Sequence, residues 1–585
     1  MEYPARLDEE FLIEEWRCWK ERGGGGRCLQ VPGRIDEVFE REERREVQIT
    51  IQGLAGEAWR EVAEEIMHKK SWEQLQQGER LLERLLRWVQ ESWDTHPDDE
   101  ILDSFEPRPQ LRLTDRLREL PLLGKLKSSV PPIDRSDLLR TWLRSCDQNH
   151  PDCRADGSNH HPERVISVRQ DDANRLQLHE LECGLEYVAL SYCWGNESQE
   201  QKPYLTTDEN FQRRKDEGFN YNDLPKLFQD AVTVTRELGK TYLWIDALCI
   251  IQGNEEDWKN QGTKMEHIFA SAYCTLAPSS AFEWKEGFLN TRRARNAGLP
   301  LCRTNPAKNF RRLVDEGPLN KRAWVLQERV LSRRTVFFTS SGIYWECGEG
   351  VRCDNFVKIE CPLTRSYMID SNFPRRLLTS GILPTIKFLQ ELIENYTRRD
   401  ITVITDRIAA FTGLITRLEK ALETEGKYGV FSCALPRLLL WKRPDSKTEP
   451  IGYDHPIPSW SWMAYPGRIE FMTTLPLSVS KYLHLDNDVL RVKVHTFENC
   501  HIRPRNKSHG IYSGQKRVGL LFFDTARVEF LNYVIIGTRA NRTDDDLYYI
   551  LVVGKAKSVG RYQRLGVGEV QARCVTKQCN DAELI

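Results

Sequence analysis

Two short stretches of the chain place polar side chains directly after apolar runs. In LWIDALCIIQ (243–252), the carboxylate of Asp246 interrupts a run that is otherwise almost wholly apolar. A lone carboxylate in a dry core is costly unless it is paired, hydrogen-bonded or protonated. We therefore predict that the apolar run is a buried strand that ends at Asp246, in a cleft, and that Asp246 belongs to a site.

The second stretch, YVALSYCWG (187–195), is a short β-rich run that ends in Ser191, Tyr192, Trp194 and Gly195. Gly195 allows a sharp backbone turn or a close approach to a ligand. Tyr192 and Trp194 either stack on a flat ring of a ligand or pack as core aromatics at a strand–loop corner. In open α/β sheets, ligands bind beyond the carboxyl ends of the strands. We therefore expect this stretch to lie near Asp246.

A candidate metal site precedes both stretches. Its cysteines and histidine are spaced C-x3-H-x2-C and two more histidines follow: Cys146, His150, Cys153, His160 and His161. These residues could bind zinc, but the spacing is unusual for a zinc site. We therefore assign no metal site here and leave open whether Cys146, His150 and Cys153 bind a metal.

Other cysteines are also interpreted as buried thiols. Cys347, Cys353 and Cys361 are assigned to packing rather than to metal binding. Cys249 has no marked histidine partner in sequence and lies inside the apolar run, which favours a buried thiol over a nucleophile.

Helices and strands alternate through the middle of the chain, as a site at strand ends requires. Residues 223–238 place apolar side chains on one helical face, with Asp223 as the cap and Gly239 beyond the end. This helix separates the predicted strands 187–192 and 242–246 in a right-handed βαβ unit. The alternation continues with helices 256–273 and 322–332 and with strands 274–277, 335–339 and 343–347. We predict an α/β fold with a mostly parallel sheet flanked by helices.

Shifts in composition and periodicity divide the chain into four regions. We predict a charged helical accessory region (1–130), an α/β core (131–350), a mixed and then helical extension (351–450), and a C-terminal β-rich region (451–585). No Walker A loop, G-x-G-x-x-G or H-E-x-x-H motif occurs, so nucleotide binding through those loops is not supported.

The composition indicates the cellular compartment and the kinds of binding partner. The net charge is −2, from 84 basic and 86 acidic residues, which does not indicate a general nucleic-acid binder. The first residues lack the apolar segment of a signal peptide, and no run is long enough to span a membrane. Sixteen cysteines spread along the chain are then expected to be reduced thiols. We predict a cytoplasmic protein, with access to the nucleus left open.

Three blocks identify a resemblance. YVALSYCWG (187–195), LWIDALCIIQ (243–252) and RAWVLQERVLSRR (322–334) resemble, in order and spacing, the signature blocks of the HET (heterokaryon incompatibility) domain of filamentous fungi. Flanking matches extend the resemblance to roughly 137–470. The resemblance implies self/non-self recognition after fusion of unlike fungal cells, with the domain triggering programmed cell death.

HET domains are also regarded as distant relatives of TIR domains, several of which cleave NAD with a glutamate four residues after a tryptophan. The sequence has this W-x-x-x-E spacing at Trp324 and Glu328, and side chains at i and i+4 share one helix face. The resemblance therefore implies a flavodoxin-like fold, NAD as a substrate rather than a cofactor, and Glu328 as the catalytic carboxylate. One carboxylate suits this chemistry, because the sugar develops oxocarbenium character while nicotinamide leaves as a neutral group.

The resemblance also suggests roles for the neighbouring residues. Tyr192 or Trp194 would hold a ring of NAD, and Arg322 would meet phosphate or pair with Asp246. Asp246 would bind ribose hydroxyls, pair with an arginine or cap the backbone of the following loop. The predicted substrate-binding residues are Ser191, Tyr192, Trp194, Gly195, Asp246, Arg322 and Trp324.

Two alternatives remain open. Glu328 could be a surface carboxylate paired with Arg329, Arg333 or Arg334. The domain would then act as a scaffold that self-associates and recruits partners, including an incompatibility partner protein. A glutamate that points into solvent, away from residues 191–195, would favour this alternative.

Overall fold

The structure is a computed structural model. It describes residues 135–154, 161–169, 172–182, 184–195, 203–289, 306–354, 358–359, 363–444, 449–472, 478–479, 482–486, 488–505, 508–525, 532–539, 547–576 and 578–585. The predicted accessory region 1–130 lies outside the described residues, as do His160 and Cys361.

The first part of the described chain forms a sheet of ten strands. These are β1 (Arg164–Ser167), β2 (Arg175–Glu180), β3 (Tyr187–Leu190), β4 (Phe219–Asn220), β5 (Tyr242–Trp244), β6 (Cys274–Pro278), β7 (Arg334–Thr339), β8 (Gly342–Cys347), β9 (Gly350–Cys353) and β10 (Lys358–Ile359). Their order across the sheet is β10-β9-β8-β7-β6-β3-β5-β1-β2-β4. The helices and the sheet confirm the α/β prediction.

The sheet is mixed, so the prediction of a mostly parallel sheet was wrong. Only β5, β3, β6 and β7 run parallel to one another. The flanking strands β8, β9 and β10 on one side and β1, β2 and β4 on the other pair antiparallel. The connection from β7 to β8 is a turn at residues 340–341, and a parallel pair would need a crossover of a dozen or more residues.

Within the described residues, eight α-helices accompany the first sheet. They are α1 (Arg135–Asn149), α2 (Asp208–Asp216), α3 (Lys226–Glu237), α4 (Asp246–Cys249), α5 (Glu255–Gly262), α6 (Met265–Ser271), α7 (Pro306–Phe310) and α8 (Ala323–Leu331). The apolar face predicted for α3 is buried, and Gly239 follows its end at a φ of 72°. Asp223 is not its cap, because a 3-10 turn at Tyr221–Asp223 precedes Pro225 at the N-cap position. The single helix predicted at 256–273 is two helices, since the first ends at Gly262.

The extension consists mainly of helices that pack on this sheet domain. They are α9 (Leu363–Met368), α10 (Ile382–Thr397), α11 (Ala409–Leu422) and α12 (Leu435–Leu438), with two short strand pairs, β11 (Gly426–Lys427) with β12 (Val430–Phe431) and β13 (Trp441–Lys442) with β14 (Glu470–Phe471). Helix α8 packs against both α6 and α11, so the extension contacts the helix that carries Glu328.

The C-terminal region is β-rich, as predicted. Its strands are β15 (Ser478–Val479), β16 (His484–Asp486), β17 (Val489–Thr496), β18 (His501–Arg505), β19 (Ser508–Ser513), β20 (Lys516–Phe523), β21 (Asn532–Arg539), β22 (Leu547–Lys555), β23 (Arg561–Gln571) and β24 (Cys579–Leu584). The pairings of β17, β21, β22, β23 and β24 close into a ring. Such closure leaves these strands without a free edge.

No described helix combines the length and the apolar character that crossing a bilayer requires. Among the described tryptophans, Trp244, Trp441, Trp460 and Trp462 pack in the core and are at most 1% exposed.

Candidate functional site

The site forms at the carboxyl ends of two parallel neighbours, β3 and β5. Val188 pairs with Leu243 and Ala189 with Trp244, so both strands end at the same edge of the sheet. Residues 191–195 follow β3 and Asp246 follows β5. Both stretches therefore meet where the sequence placed them.

Glu328 lies at this edge and is buried. The Ser191 hydroxyl donates a hydrogen bond to the Glu328 carboxylate, which is 7% exposed. A surface ion pair is not formed. Arg329 pairs instead with Glu346 and Asp315, with closest distances of 2.5 and 2.9 Å.

The other two candidate arginine partners of Glu328 also make contacts elsewhere. Arg334 pairs with Asp147 at 2.6 Å, and Arg333 donates to the backbone carbonyl of Arg154. Within the described residues, the buried Glu328 carboxylate therefore forms no salt bridge with a cationic side chain.

Asp246 binds both of the stretches that the sequence singled out. One carboxylate oxygen accepts a hydrogen bond from the Trp194 indole N–H at 2.7 Å. The other accepts from the Ala247 backbone N–H, also at 2.7 Å. The backbone-capping role predicted for Asp246 is thus present, and Trp194 joins the two strand ends through its polar atom.

Arg322 precedes α8, and its side chain extends to the residues that follow β3. Its guanidinium donates to the Tyr192 backbone carbonyl. The backbone on either side is held by the extension, because Ala323 N–H donates to the Asp400 carbonyl at 2.8 Å and Asp400 N–H to the Lys321 carbonyl at 2.6 Å. Arg322 is therefore a fixed positive charge beside the two carboxylates.

The two carboxyl groups have perturbed titrations. The pKa of Glu328 is raised to about 7, mainly by burial and also by the nearby Asp246, while Arg322 and the Ser191 hydroxyl act in the opposite direction. Burial also raises the pKa of Asp246, while the nearby Tyr192 hydroxyl, the Trp194 indole N–H and the charge of Arg322 lower it. Two interacting carboxyls with raised pKa values, in one place, are typical of catalytic sites, although structural networks also perturb pKa values.

An aromatic wall lines one side of the site. The Tyr192 and Trp194 rings stack at 6.2 Å with planes 17° apart, and the Phe228 ring meets Tyr192 edge-on at 5.1 Å. Tyr192 is buried, and its hydroxyl lies beside Asp246 without a hydrogen bond of regular geometry among the described residues. Trp194 is half-buried, in contrast to Tyr192.

Gly195 adopts a φ of 73°, a conformation that suits glycine. A Cβ at this position would lie 3.4 Å from Glu283 and 3.6 Å from Trp284. The chain can therefore turn away from β3 close to the segment that follows β6.

Trp324 is placed differently from the other predicted residues. It is half-buried, and its ring contacts Trp258 of α5 edge-on, with centroids 5.8 Å apart. None of its described contacts joins it to the carboxylates, so W-x-x-x-E spacing alone does not bring both side chains into one site.

One charged neighbour was missed by the sequence analysis. Arg399, just beyond α10, donates to the Arg322 carbonyl at 3.3 Å, and its charge lowers the pKa of Glu328. Burial lowers the pKa of Arg399 itself to about 9. Its only sequence signal was the flanking resemblance that extends to about residue 470, and this resemblance did not predict a contact with α8.

The cysteines differ from one another. Cys249 is buried, and burial raises the pKa of its thiol to about 12, which disfavours a nucleophilic thiolate. Cys353 is wholly buried in an apolar cluster, in agreement with the packed thiol predicted. Cys347 departs from that interpretation, because it lies in a group with Cys146, His150 and Cys153.

These observations define a class: an α/β protein with two interacting carboxyl groups and an aromatic wall at the carboxyl edge of a parallel sheet core. Residues 187–328 match the model of the heterokaryon incompatibility protein (HET) family. This match identifies a HET domain and confirms the resemblance seen in the three blocks. A search of curated proteins and a search of solved structures each found no significant match.

The matched segment coincides with the site. It begins at the first residue of β3 and ends at Glu328, and it includes every predicted site residue. Arg399 and the cysteine–histidine group lie outside it. The match supports a function in heterokaryon incompatibility.

Proposed function

We propose that this HET domain triggers cell death, after fusion of unlike fungal cells, by hydrolysing the bond between nicotinamide and ribose in NAD. Glu328 is the proposed catalytic carboxylate. The observation that carries the proposal is the burial of Glu328 against Ser191, at the strand ends that also hold Asp246 and Trp194. The choice of Glu328 rests also on the expected relationship between HET and TIR domains, although Trp324 of the W-x-x-x-E spacing contacts Trp258 and is not part of the proposed site.

The reaction needs little acid catalysis. The C1′–N bond breaks, its electron pair neutralises the pyridinium nitrogen, and nicotinamide leaves without taking a proton. Water then adds to C1′ and releases one proton, which yields ADP-ribose. A fixed carboxylate stabilises the positive charge that develops on the sugar.

The proposed roles of the neighbours follow from their contacts. Ser191 orients the Glu328 carboxylate through its hydroxyl. The half-buried Trp194 and Arg322 offer a ring surface and a positive charge for the base and the phosphates of NAD. Since Glu328 is 7% exposed, NAD would approach from the side of Trp194, Gly195 and Asp246.

The test measures nicotinamide release from NAD by purified full-length protein, both dilute and concentrated. We expect release by the wild-type protein and a loss of at least about 100-fold in Glu328→Gln, because the variant keeps the shape but not the charge. Glu391→Gln is the matched control, since the side chain of this glutamate in α10 is 43% exposed and its ion pair with Lys387 is long, at 4.0 Å. The control should retain full release.

Equal release by Glu328→Gln and wild type would remove the proposed mechanism. Expression of the wild-type protein and of Glu328→Gln in yeast distinguishes the NAD-cleavage proposal from the scaffold alternative. Growth arrest that persists in Glu328→Gln, without a fall in cellular NAD, would favour self-association and recruitment of partners.

A further inference from the structure

Four potential metal ligands meet where α1 approaches β8. They are Cys146 in α1, His150 just after it, Cys153 in the following 3-10 turn, and Cys347 at the end of β8. Their ligand atoms all lie within 4.8 Å of one another. The last of the four is distant in sequence, so only the fold brings the set together.

The distances suit a tetrahedral metal ion. The His150 Nδ1 atom lies 3.6 Å from the Cys347 Sγ atom. Zinc with bonds of about 2.3 Å to sulfur and about 2.0 Å to nitrogen places such a pair roughly 3.5 Å apart. Three sulfurs and one imidazole nitrogen form a closed ligand set, which is typical of structural zinc and unsuited to calcium or magnesium.

The surroundings also suit a charged metal centre. Cys146, Cys153 and Cys347 are each at most 4% exposed. The side chain of Arg334 is 2% exposed, and Arg334 pairs with the ligand residue Cys347 across β7 and β8. One of its nitrogens pairs with Asp147 at 2.6 Å, whereas Nε and Nη1 are buried without a hydrogen bond to any described residue. Zinc bound by three thiolates and a neutral imidazole has a net charge of −1, and the nearby guanidinium, which also pairs with Asp147, would offset part of this charge.

Close packing around Gly348 supports Cys153 as a ligand. A Cβ on Gly348 would lie 3.3 Å from the Cys153 sulfur and 2.6 Å from the Ser371 hydroxyl oxygen. Only a glycine leaves this space to the ligand and its neighbour. His161, in contrast, lies near the Pro162 carbonyl and is not a member of the group.

We propose that Cys146, His150, Cys153 and Cys347 bind one structural zinc ion. The ion joins the turn after α1 to β8, and the whole segment matched by the HET family lies between Cys153 and Cys347. It therefore closes a long loop around the domain, a constraint that stabilises the folded state by limiting the unfolded chain. This site is independent of the proposed NAD chemistry.

The test is metal analysis of the full-length protein purified without chelator. We expect about one zinc ion per chain in wild type and most of it lost in Cys146→Ala and in Cys347→Ala. Cys433→Ala is the matched control, because this cysteine is 2% exposed, buried as the ligand cysteines are, but is not a member of the four-residue group. It should retain its zinc.

Cobalt substitution keeps the test decisive if the ligand variants do not fold. Wild-type protein loaded with Co²⁺ should show thiolate-to-cobalt charge-transfer absorption and the visible bands of a tetrahedral site. Wild-type protein that contains no zinc and gives no such absorption would overturn the proposal. So would a folded Cys347→Ala variant that keeps its full zinc content.

Discussion

The burial of Glu328 gives the site a pH dependence that can be measured without a substrate. Burial raises the pKa of this carboxyl from 4.5 to about 7. The folded protein therefore holds the proton more tightly than the unfolded chain does. This contribution to stability is fully present below about pH 4.5 and is lost as the pH rises to about 7.

Glu328→Gln removes this titration while it keeps an acceptor for Ser191. We expect the variant to have a free energy of unfolding up to about 3 kcal/mol higher than wild type above pH 7, with the difference shrinking towards pH 4.5. Urea denaturation across this pH range is the measurement. A difference that does not change with pH would show that Glu328 does not titrate with a raised pKa in the folded protein.

At the scale of elements, the site depends on the helical extension as well as on the HET domain. The backbone at residue 400 pairs with the segment that carries Arg322, and Arg399 adds positive charge near Glu328. The connection between α10 and α11 thus positions the start of α8. The extension is a structural part of the site although it lies outside the family match.

Arg399→Gln tests this coupling between elements. Since the charge of Arg399 lowers the pKa of Glu328, its loss should move the pH midpoint of the proposed nicotinamide release upwards by up to about one pH unit. Arg398→Gln is the control, because that neighbour is half exposed and pairs with Glu394 at 3.0 Å. Arg399 acts as a positioning residue if the midpoint moves. An unchanged midpoint with reduced stability would indicate a purely structural role.

At the scale of the whole molecule, a buried arginine joins the C-terminal strands to the extension. Arg564 in β23 is 1% exposed and pairs with Asp524 at 2.8 Å. It also donates to the carbonyls of Leu439 and Trp441, and its guanidinium lies 3.4 Å from the centre of the Trp441 ring. The interface is therefore polar at its centre and fully satisfied around this side chain.

Arg564→Met should lower the free energy of unfolding by about 3–5 kcal/mol, because it leaves the Asp524 carboxylate and two carbonyls buried without their partner. Arg561→Met is the matched control on the same strand. Its ion pair with Glu583 is 47% exposed on the arginine side, so its loss should cost less than about 1 kcal/mol. Denaturation of both variants measures the difference. Equal small losses would mean that the buried pair does not hold the two regions together.

Local features could be predicted from the sequence because they depend on neighbours along the chain. The apolar run before Asp246 predicted a buried strand end, and the positions of α3, β5 and β6 follow from periodicity and breakers. The two stretches after β3 and β5 had to meet, since parallel neighbours end at one edge of a sheet. The HET blocks were equally local and are confirmed by the family match.

Long-range packing decided the rest. Whether Glu328 faced solvent or Ser191 depended on how α8 lies between the sheet and α11, which helical spacing does not specify. The antiparallel flanks of the sheet, the approach of Arg399 and the meeting of Cys347 with Cys146 are contacts between segments far apart in sequence. Such contacts form only when distant apolar faces are buried together, so tertiary structure alone determined them.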